Sequence, residues 1–212
     1  MEAIFEKGAD NTGMSPATMM LLMESPASDL IESLFAAARR QRDLHFGNSV
    51  FLYGFLYIST YCRNQCRFCF YRQTNTRAIR YRKTMAEITK SSRLLAQSGV
   101  HLIDLTAGED PSFVTDGYNG FASVIDIVKS IKADIGLPMM ASVGVVPDSV
   151  LDKFVAAGVD WYACYQETYN RQLFDKLRVG QSFQARYQSK MAAKAKGMLV
   201  EEGLLCGVGE TS

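Results

Sequence analysis

The stretch GFASVIDIVKSIKADIGLPMMASVGVVPDSVLDKFVAAGVDWYACY, residues 120–165, decides the fold. It reads as helix, strand, helix, strand. Between Gly120 and Asp134, Val124, Ile127, Val128 and Ile131 share one face at helical spacing, and Gly136 with Pro138 ends the run. Met139–Val143 is a short apolar segment suited to a buried strand. Pro147 opens a second helix to Ala157, since a first-turn proline loses no helical hydrogen bond, and Gly158 closes it. Val159–Tyr165 is the next strand. Such alternation means parallel strands joined by helical crossovers.

Working outward, the pattern continues. Val50–Ile58 predicts a first strand, Thr84–Ser98 a helix ended by Gly99, and Leu102–Thr106 a second strand. Helices are expected over 169–177 and 182–202, and Leu204–Val208 as a fifth strand. Polar residues cluster just after strand ends. The expectation is an α/β fold, a (βα) TIM-type barrel of which about five units are present, with its site at the C-terminal strand ends. An open doubly wound sheet is the weaker alternative, because no G-x-G-x-x-G follows the first strand. Upstream, Met19–Glu24 and a segment from Ser28 to about Arg42 read as helices, the second with Leu30, Leu34, Ala37 and Ala38 as its apolar stripe. Residues 1–49 are thus expected as a helical extension and 50–212 as the barrel domain, cut short on its C-terminal side.

The 212 residues are 48% hydrophobic and 21% charged, enough for one globular core. Lys and Arg total 23 against 22 Asp and Glu, a balance that argues against a general nucleic-acid binder. No apolar run reaches membrane-spanning length, and the start, MEAIFEKGADNTG, has no basic segment leading into an apolar one. No membrane or nucleic-acid partner is expected, and the cytoplasm is the expected location.

Three of five cysteines, Cys62, Cys66 and Cys69, fall directly after the first strand, in TYCRNQCRFC, residues 60–69. A disulfide framework would spread its cysteines through the chain. C-x3-C-x2-C in one loop supplies three thiolates, which suits a [4Fe–4S] cluster with one iron open to another ligand. A structural zinc wants four ligands, and the two histidines, His45 and His101, stand at no finger spacing. A zinc-binding module is the rival reading. Cys164 and Cys206 are expected inside strands as packed thiols. From Leu44 to Ala86 there is no acidic residue, while seven Arg or Lys lie between Arg63 and Lys83. That run reads as a basic surround for the thiolates.

At these residues the chain resembles the radical S-adenosylmethionine superfamily. Ala107-Gly108-Glu109 is similar to its G-G-E motif, with Ala for the first Gly, and GLLCGVGE (203–210) to its G-x-I-x-G-x-x-E pattern. The helix before LHFGNSV (44–50) resembles the biotin synthase branch. Within it, FLYGFLYISTYCRNQCRFCFYR (51–72), SGVHLIDLTAGEDP (98–111) and DWYACYQETYNRQLFDKLRVGQSF (160–183) are most similar to the methylornithine synthase family of pyrrolysine biosynthesis. Another biotin synthase-like enzyme with a different small substrate is the alternative.

The resemblance implies that Cys62, Cys66 and Cys69 hold a [4Fe–4S] cluster whose open iron takes S-adenosylmethionine. It implies Phe68 against the adenine, Glu109 on the methionyl ammonium with Gly108 allowing close approach, and Glu167 and Arg178 on the ribose and carboxylate. Gly207 and Gly209 would bring the fifth strand's backbone to the adenine. It further implies L-lysine as substrate, rearranged to 3-methylornithine, an external electron donor, and a monomer when the barrel is complete; the missing units would leave this chain with little or no lysine turnover. Asp104 rests on alternation instead. Ile103 and Leu105 should face the helices, turning Asp104 and Thr106 into the barrel. A lone interior carboxylate is costly unless paired, and a substrate ammonium could pair it.

Overall fold

The computed structural model describes residues 14–24, 27–114 and 121–209. The first compact unit, ending at Phe51, contains α1 (Pro16–Glu24) and α2 (Ser28–Phe46). Helix α2 runs past the expected Arg42 until Gly47 turns it off at φ +55°. Neither helix buries a residue.

The second unit, from Leu52, alternates strand and helix: β1 (Tyr53–Ser59), α3 (Met85–Gln97), β2 (Leu102–Ala107), α4 (Ala122–Ile135), β3 (Met139–Ser142), α5 (Asp148–Ala157), β4 (Trp161–Ala163), α6 (Arg171–Leu177), α7 (Phe183–Ala195) and β5 (Leu199–Glu201). The strands are parallel and lie in chain order, β1-β2-β3-β4-β5. A doubly wound sheet would reverse its order partway. Uninterrupted order is the signature of a barrel arc, and among the described residues β1 and β5 do not pair to close it.

Local chemistry sets the helix ends. Thr84 accepts from the Glu87 N–H while the Glu87 carboxylate accepts from the Thr84 N–H, a reciprocal cap that starts α3 where the sequence places it. Asn170 and Ser182 cap α6 and α7 from their side chains. The main core fills the space between sheet and helices: Ile103, Leu105, Met139, Ala141 and Tyr162 from the strands meet Val124, Val128, Leu151 and Phe154 from the helices. A smaller layer on the opposite face gathers Leu102, Met140 and Ala163 with Trp161 and Tyr165. Ile103 and Leu105 therefore pack outward and Asp104 inward, as alternation requires.

The expected fifth strand at Leu204–Val208 is not there. Helix α7 stops at Ala195 rather than near 202, because Gly197 turns at φ +85°. Leu199–Glu201 then pairs with Trp161–Ala163. Past Ala163 the β4 edge bends away at Glu167, which has φ +68°, so Leu204 forms only a single bridge with it. Cys206 consequently lies exposed in a turn rather than packed in a strand, whereas Cys164 is buried.

Candidate functional site

Every predicted site residue except Asp104 lies in or after the loops at the C-terminal ends of the strands. The cysteine loop leaves β1 and is tied down on several sides. The Arg80 guanidinium donates to the carbonyls of Thr60, Tyr71 (3.0 Å), Arg72 (2.8 Å) and Asn75 (3.3 Å). Arg72 donates to the Cys69 carbonyl at 3.0 Å, and the Arg67 N–H to the Leu177 carbonyl at 2.8 Å. Of the seven basic side chains, Arg72 and Arg80 thus satisfy loop carbonyls, while Arg63 and Arg82 pair with carboxylates.

A second staple joins the ends of β1 and β2. The Arg82 fork donates to both oxygens of fully buried Asp110 at 2.8 Å, and Ser59 and Ser112 donate to the same carboxylate. Burial pushes the Asp110 carboxyl up, but the donors from Arg82, Ser59 and Ser112 outweigh it and hold it at about 2.

The three cysteines differ in setting. Cys66 is buried; Cys62 and Cys69 are half-buried. The Cys66 sulfur accepts from Gln181 Nε2 at 2.9 Å and from Arg178 at 3.6 Å, while the Cys62 sulfur accepts from the Asn64 N–H at 3.4 Å. Burial pushes the Cys62 and Cys69 thiols up, so a thiolate at either needs a coordinated metal to hold its charge. Among the described residues no three Cys, His, Asp or Glu side chains converge tightly enough for a single metal ion. The donor set fits a cluster better, since three of its irons take one thiolate each and the sulfurs need not meet at one point.

Gly108 follows β2 directly against this loop. A Cβ there would sit 2.6 Å from Cys62 Cβ and 2.8 Å from the Tyr61 carbonyl, so only glycine fits. Next to it, buried Glu109 accepts from Arg63 at 3.1 Å, Arg186 at 3.3 Å and the Val145 N–H at 3.2 Å. Gly144, at φ +82°, leaves room for that carboxyl; a Cβ would lie 2.2 Å from Glu109 Cγ. Gly203 likewise passes the Tyr165 ring, which a Cβ would meet at 3.0 Å. A cavity of about 480 Å³ opens here, with Arg63, Asn64, Glu109, Val145 and Gln181 in its lining.

Arg178, buried after α6, joins several predicted residues. It donates to the Tyr165 carbonyl at 2.8 Å and to Glu167 at 3.1 Å, and its guanidinium carbon stands 5.2 Å from the centre of the half-buried Phe68 ring. Burial pushes its own pKa down and that of Glu167 up. Gly207 and Gly209 lie beyond β5 rather than on it, with φ of +81° and +117°, and Glu210, which ends their motif, falls outside the described residues.

Asp104 sits apart, on the inner face of the sheet. It pairs in register with Phe55 and Met140 and is 1% exposed, and its Oδ1 has no partner. Burial pushes its carboxyl up to about 7; a hydrogen bond from Thr106 opposes the rise and the Glu201 charge adds to it. The Tyr165 hydroxyl donates to Glu201, forming the polar part of the same inner wall.

Sequence reading missed Gln181 and Arg186. Arg186 is buried on α7, where it donates to Glu109, to Gln181 Oε1 at 2.8 Å and to the Cys164 sulfur at 3.1 Å. The Nε atoms of both Arg178 and Arg186 are buried without an acceptor. Nothing local marked these residues, because the contacts that bring them to the site, with Cys66 and Glu109, are distant in sequence.

Known proteins bear on this geometry. The chain is 41% identical over 204 residues to the 3-methylornithine synthase of Methanosarcina acetivorans, covering 96% of this chain and 57% of that protein. It is 34% identical to the [FeFe] hydrogenase maturase subunit HydE of Thermotoga maritima, over 84% of this chain and 49% of that one. The crystal structure of methylornithine synthase (PylB) superposes with a TM-score of 0.85 at 40% identity, covering 97% of this chain and 60% of that one. The chain therefore spans about three-fifths of the methylornithine synthases that it matches. The pattern of the Radical SAM superfamily matches residues 56–211. With its three-cysteine loop at the end of β1, the chain belongs to the radical SAM superfamily.

Proposed function

We propose that residues 50–212 form the cluster- and cofactor-binding part of a radical enzyme that acts on L-lysine to give 3-methylornithine, with residues 1–49 as a helical extension. The observation that carries this reading is Arg178, which touches Cys66, Phe68 and Glu167 at once. Cys66 and Phe68 belong to the cysteine motif and Glu167 to the segment after β4, so with Arg178 itself three predicted motifs meet at one side chain. When bound, a [4Fe–4S] cluster and S-adenosylmethionine supply a carbon-centred radical by one-electron cleavage of a carbon–sulfur bond.

The chain's own residues bind and orient. Cys62, Cys66 and Cys69 would hold the cluster, with one iron left for the cofactor's amino and carboxylate groups. Glu109, already held by two guanidinium groups, would take the cofactor ammonium, since a carboxylate pairs most strongly with a charged donor. The unpartnered Nε atoms of Arg178 and Arg186 are donors suited to the cofactor carboxylate. Phe68 would face the adenine, Glu167 the ribose, and Gly207 and Gly209 would let the backbone pass close to it. Asp104, orphaned on the inner wall, is suited to a lysine ammonium; pairing would remove the cost of its burial. The protein's contribution is orientation and exclusion of water.

Anaerobic iron–sulfur reconstitution tests the first part. A brown chain absorbing broadly near ~400 nm is expected for thiolate-bound iron. Cys62→Ala, Cys66→Ala and Cys69→Ala should each lose the iron, while Cys164→Ala and Cys206→Ala keep it. A colourless protein with one zinc per chain would refute the reading. Deuterated lysine tests the substrate in a chain extended to the length of the methylornithine synthases that it matches: 5′-deoxyadenosine formed with dithionite and S-adenosylmethionine should carry deuterium from lysine. Unlabelled 5′-deoxyadenosine from that lysine-saturated, cluster-loaded enzyme counts against lysine.

A further inference from the structure

Gln181 occupies a position that the cluster-binding reading leaves unused. Its amide oxygen accepts from Arg186 at 2.8 Å and from Arg178 at 3.4 Å. Both donors are guanidinium groups, which have no acceptor to offer. The opposite amide orientation would aim two N–H groups at two guanidinium forks. The oxygen is therefore fixed toward the arginines, and the nitrogen has one direction left. It points at the Cys66 sulfur, 2.9 Å away. Both arginines and Cys66 are buried, so the partners on either side of the half-buried Gln181 amide are fixed by the packed interior.

The three sulfurs are consequently unequal. Cys66 receives a side-chain amide donor as well as Arg178, whereas Cys62 receives a backbone N–H from Asn64. Backbone donors persist through substitution; the Gln181 donor does not. A hydrogen bond to a cluster thiolate stabilises the reduced cluster more than the oxidised one, because reduction adds one electron and hence one negative charge. We propose that Gln181 is a positioning residue whose amide, oriented by Arg178 and Arg186, donates to the Cys66 sulfur and raises the reduction potential of the cluster. The inference rests on the cluster reading above and adds a specific lever on the one-electron step by which an external reductant charges the cluster. The same amide links the Cys66 sulfur to Glu109 through Arg186, so the sulfur and the candidate ammonium site share one hydrogen-bonded chain.

The test is a redox titration of the reconstituted chain followed by electron paramagnetic resonance. Two variants bracket the residue. Gln181→Met keeps the length and removes the donor. Gln181→Glu keeps an acceptor for both arginines, which protects the fold, and turns the sulfur-facing atom into an anion. Gln181→Met should disfavour the reduced cluster about tenfold, a fall of ~59 mV for a one-electron couple, and Gln181→Glu should disfavour it further. Iron per chain should match the parent in both. Parent-like potentials in both iron-loaded variants would overturn the proposal. So would loss of iron in both variants, which would make Gln181 a structural support of the loop. Failure of the parent chain itself to take up a cluster would instead refute the cluster reading, a result separate from either.

Discussion

Replacing Asp110 by Asn should destabilise the fold in a way that fades with acid. Asp110 accepts five hydrogen bonds, two from Arg82, one from Ser59 and two from Ser112. Removing one partner of a buried ion pair costs about 3–5 kcal/mol when the other charge is left dry. Here the Arg82 side chain is 42% exposed, so water receives part of its charge and the cost falls to roughly 2 kcal/mol. The titration gives a similar size: a carboxyl held at about 2 against an ordinary 3.8 corresponds to ~2 kcal/mol. For a chain of this length that is about 4–8 °C in Tm. The sign follows from the depressed value. The stabilisation is fully present above the unfolded value near 4 and drains away as pH falls toward 2. Thermal melts of parent and Asp110→Asn at pH 7, 4, 3 and 2 read both size and pH window. A difference below 1 °C at pH 7, or one that persists unchanged at pH 2, would refute the reasoning.

Gly108→Ala should lower cluster loading severalfold in anaerobic reconstitution and destabilise the chain by about 1–3 kcal/mol, because the added methyl meets the Tyr61 carbonyl and the Cys62 side chain. Parent-like iron content would show that the contact is relieved by small shifts. Lysine binding should strengthen as pH rises through about 7, where Asp104 gains the charge that an ammonium can pair with, and this dependence should vanish in Asp104→Ala. A flat affinity profile in the parent, or normal lysine affinity in Asp104→Ala, would remove Asp104 from the site. Tyr162→Phe should cost about 1–3 kcal/mol in denaturant unfolding, since the buried hydroxyl serves the Gly144 carbonyl, the Val146 N–H and Ser189 together. An unchanged midpoint would mean that those groups find other partners.

The parts of this molecule that were legible in sequence are those whose causes are local. Thr84 and Glu87 stand three residues apart and start α3 by themselves, and Gly158 ends α5 at φ +91°. Alternation along β2 was enough to turn Asp104 inward. The fifth strand was not legible. GLLCGVG looks more strand-like than LVE, yet pairing with Trp161–Ala163 selected LVE, and that choice is made across the sheet rather than along the chain. The candidate site divides in the same way. Its cysteines, Gly108 and Glu109 form contiguous motifs. Arg186 reaches Glu109 across 77 residues, and Gln181 reaches Cys66 across 115, so no window of sequence contains both ends.

Three close glycine contacts beyond the strand ends share a direction. Gly108, after β2, rests on Cys62, after β1; Gly144, after β3, rests on Glu109, after β2; Gly203, after β5, rests on Tyr165, after β4. In each of these three pairs the later loop overlaps a side chain of the one before it, like tiles laid in one sense along a rim. A loop transplanted from a relative would need its successor's glycine to come with it, whereas its own glycine answers to the loop already in place. Recombination between relatives should therefore succeed where a loop and its successor's glycine come from the same parent, and fail where a crossover in the intervening helix separates them.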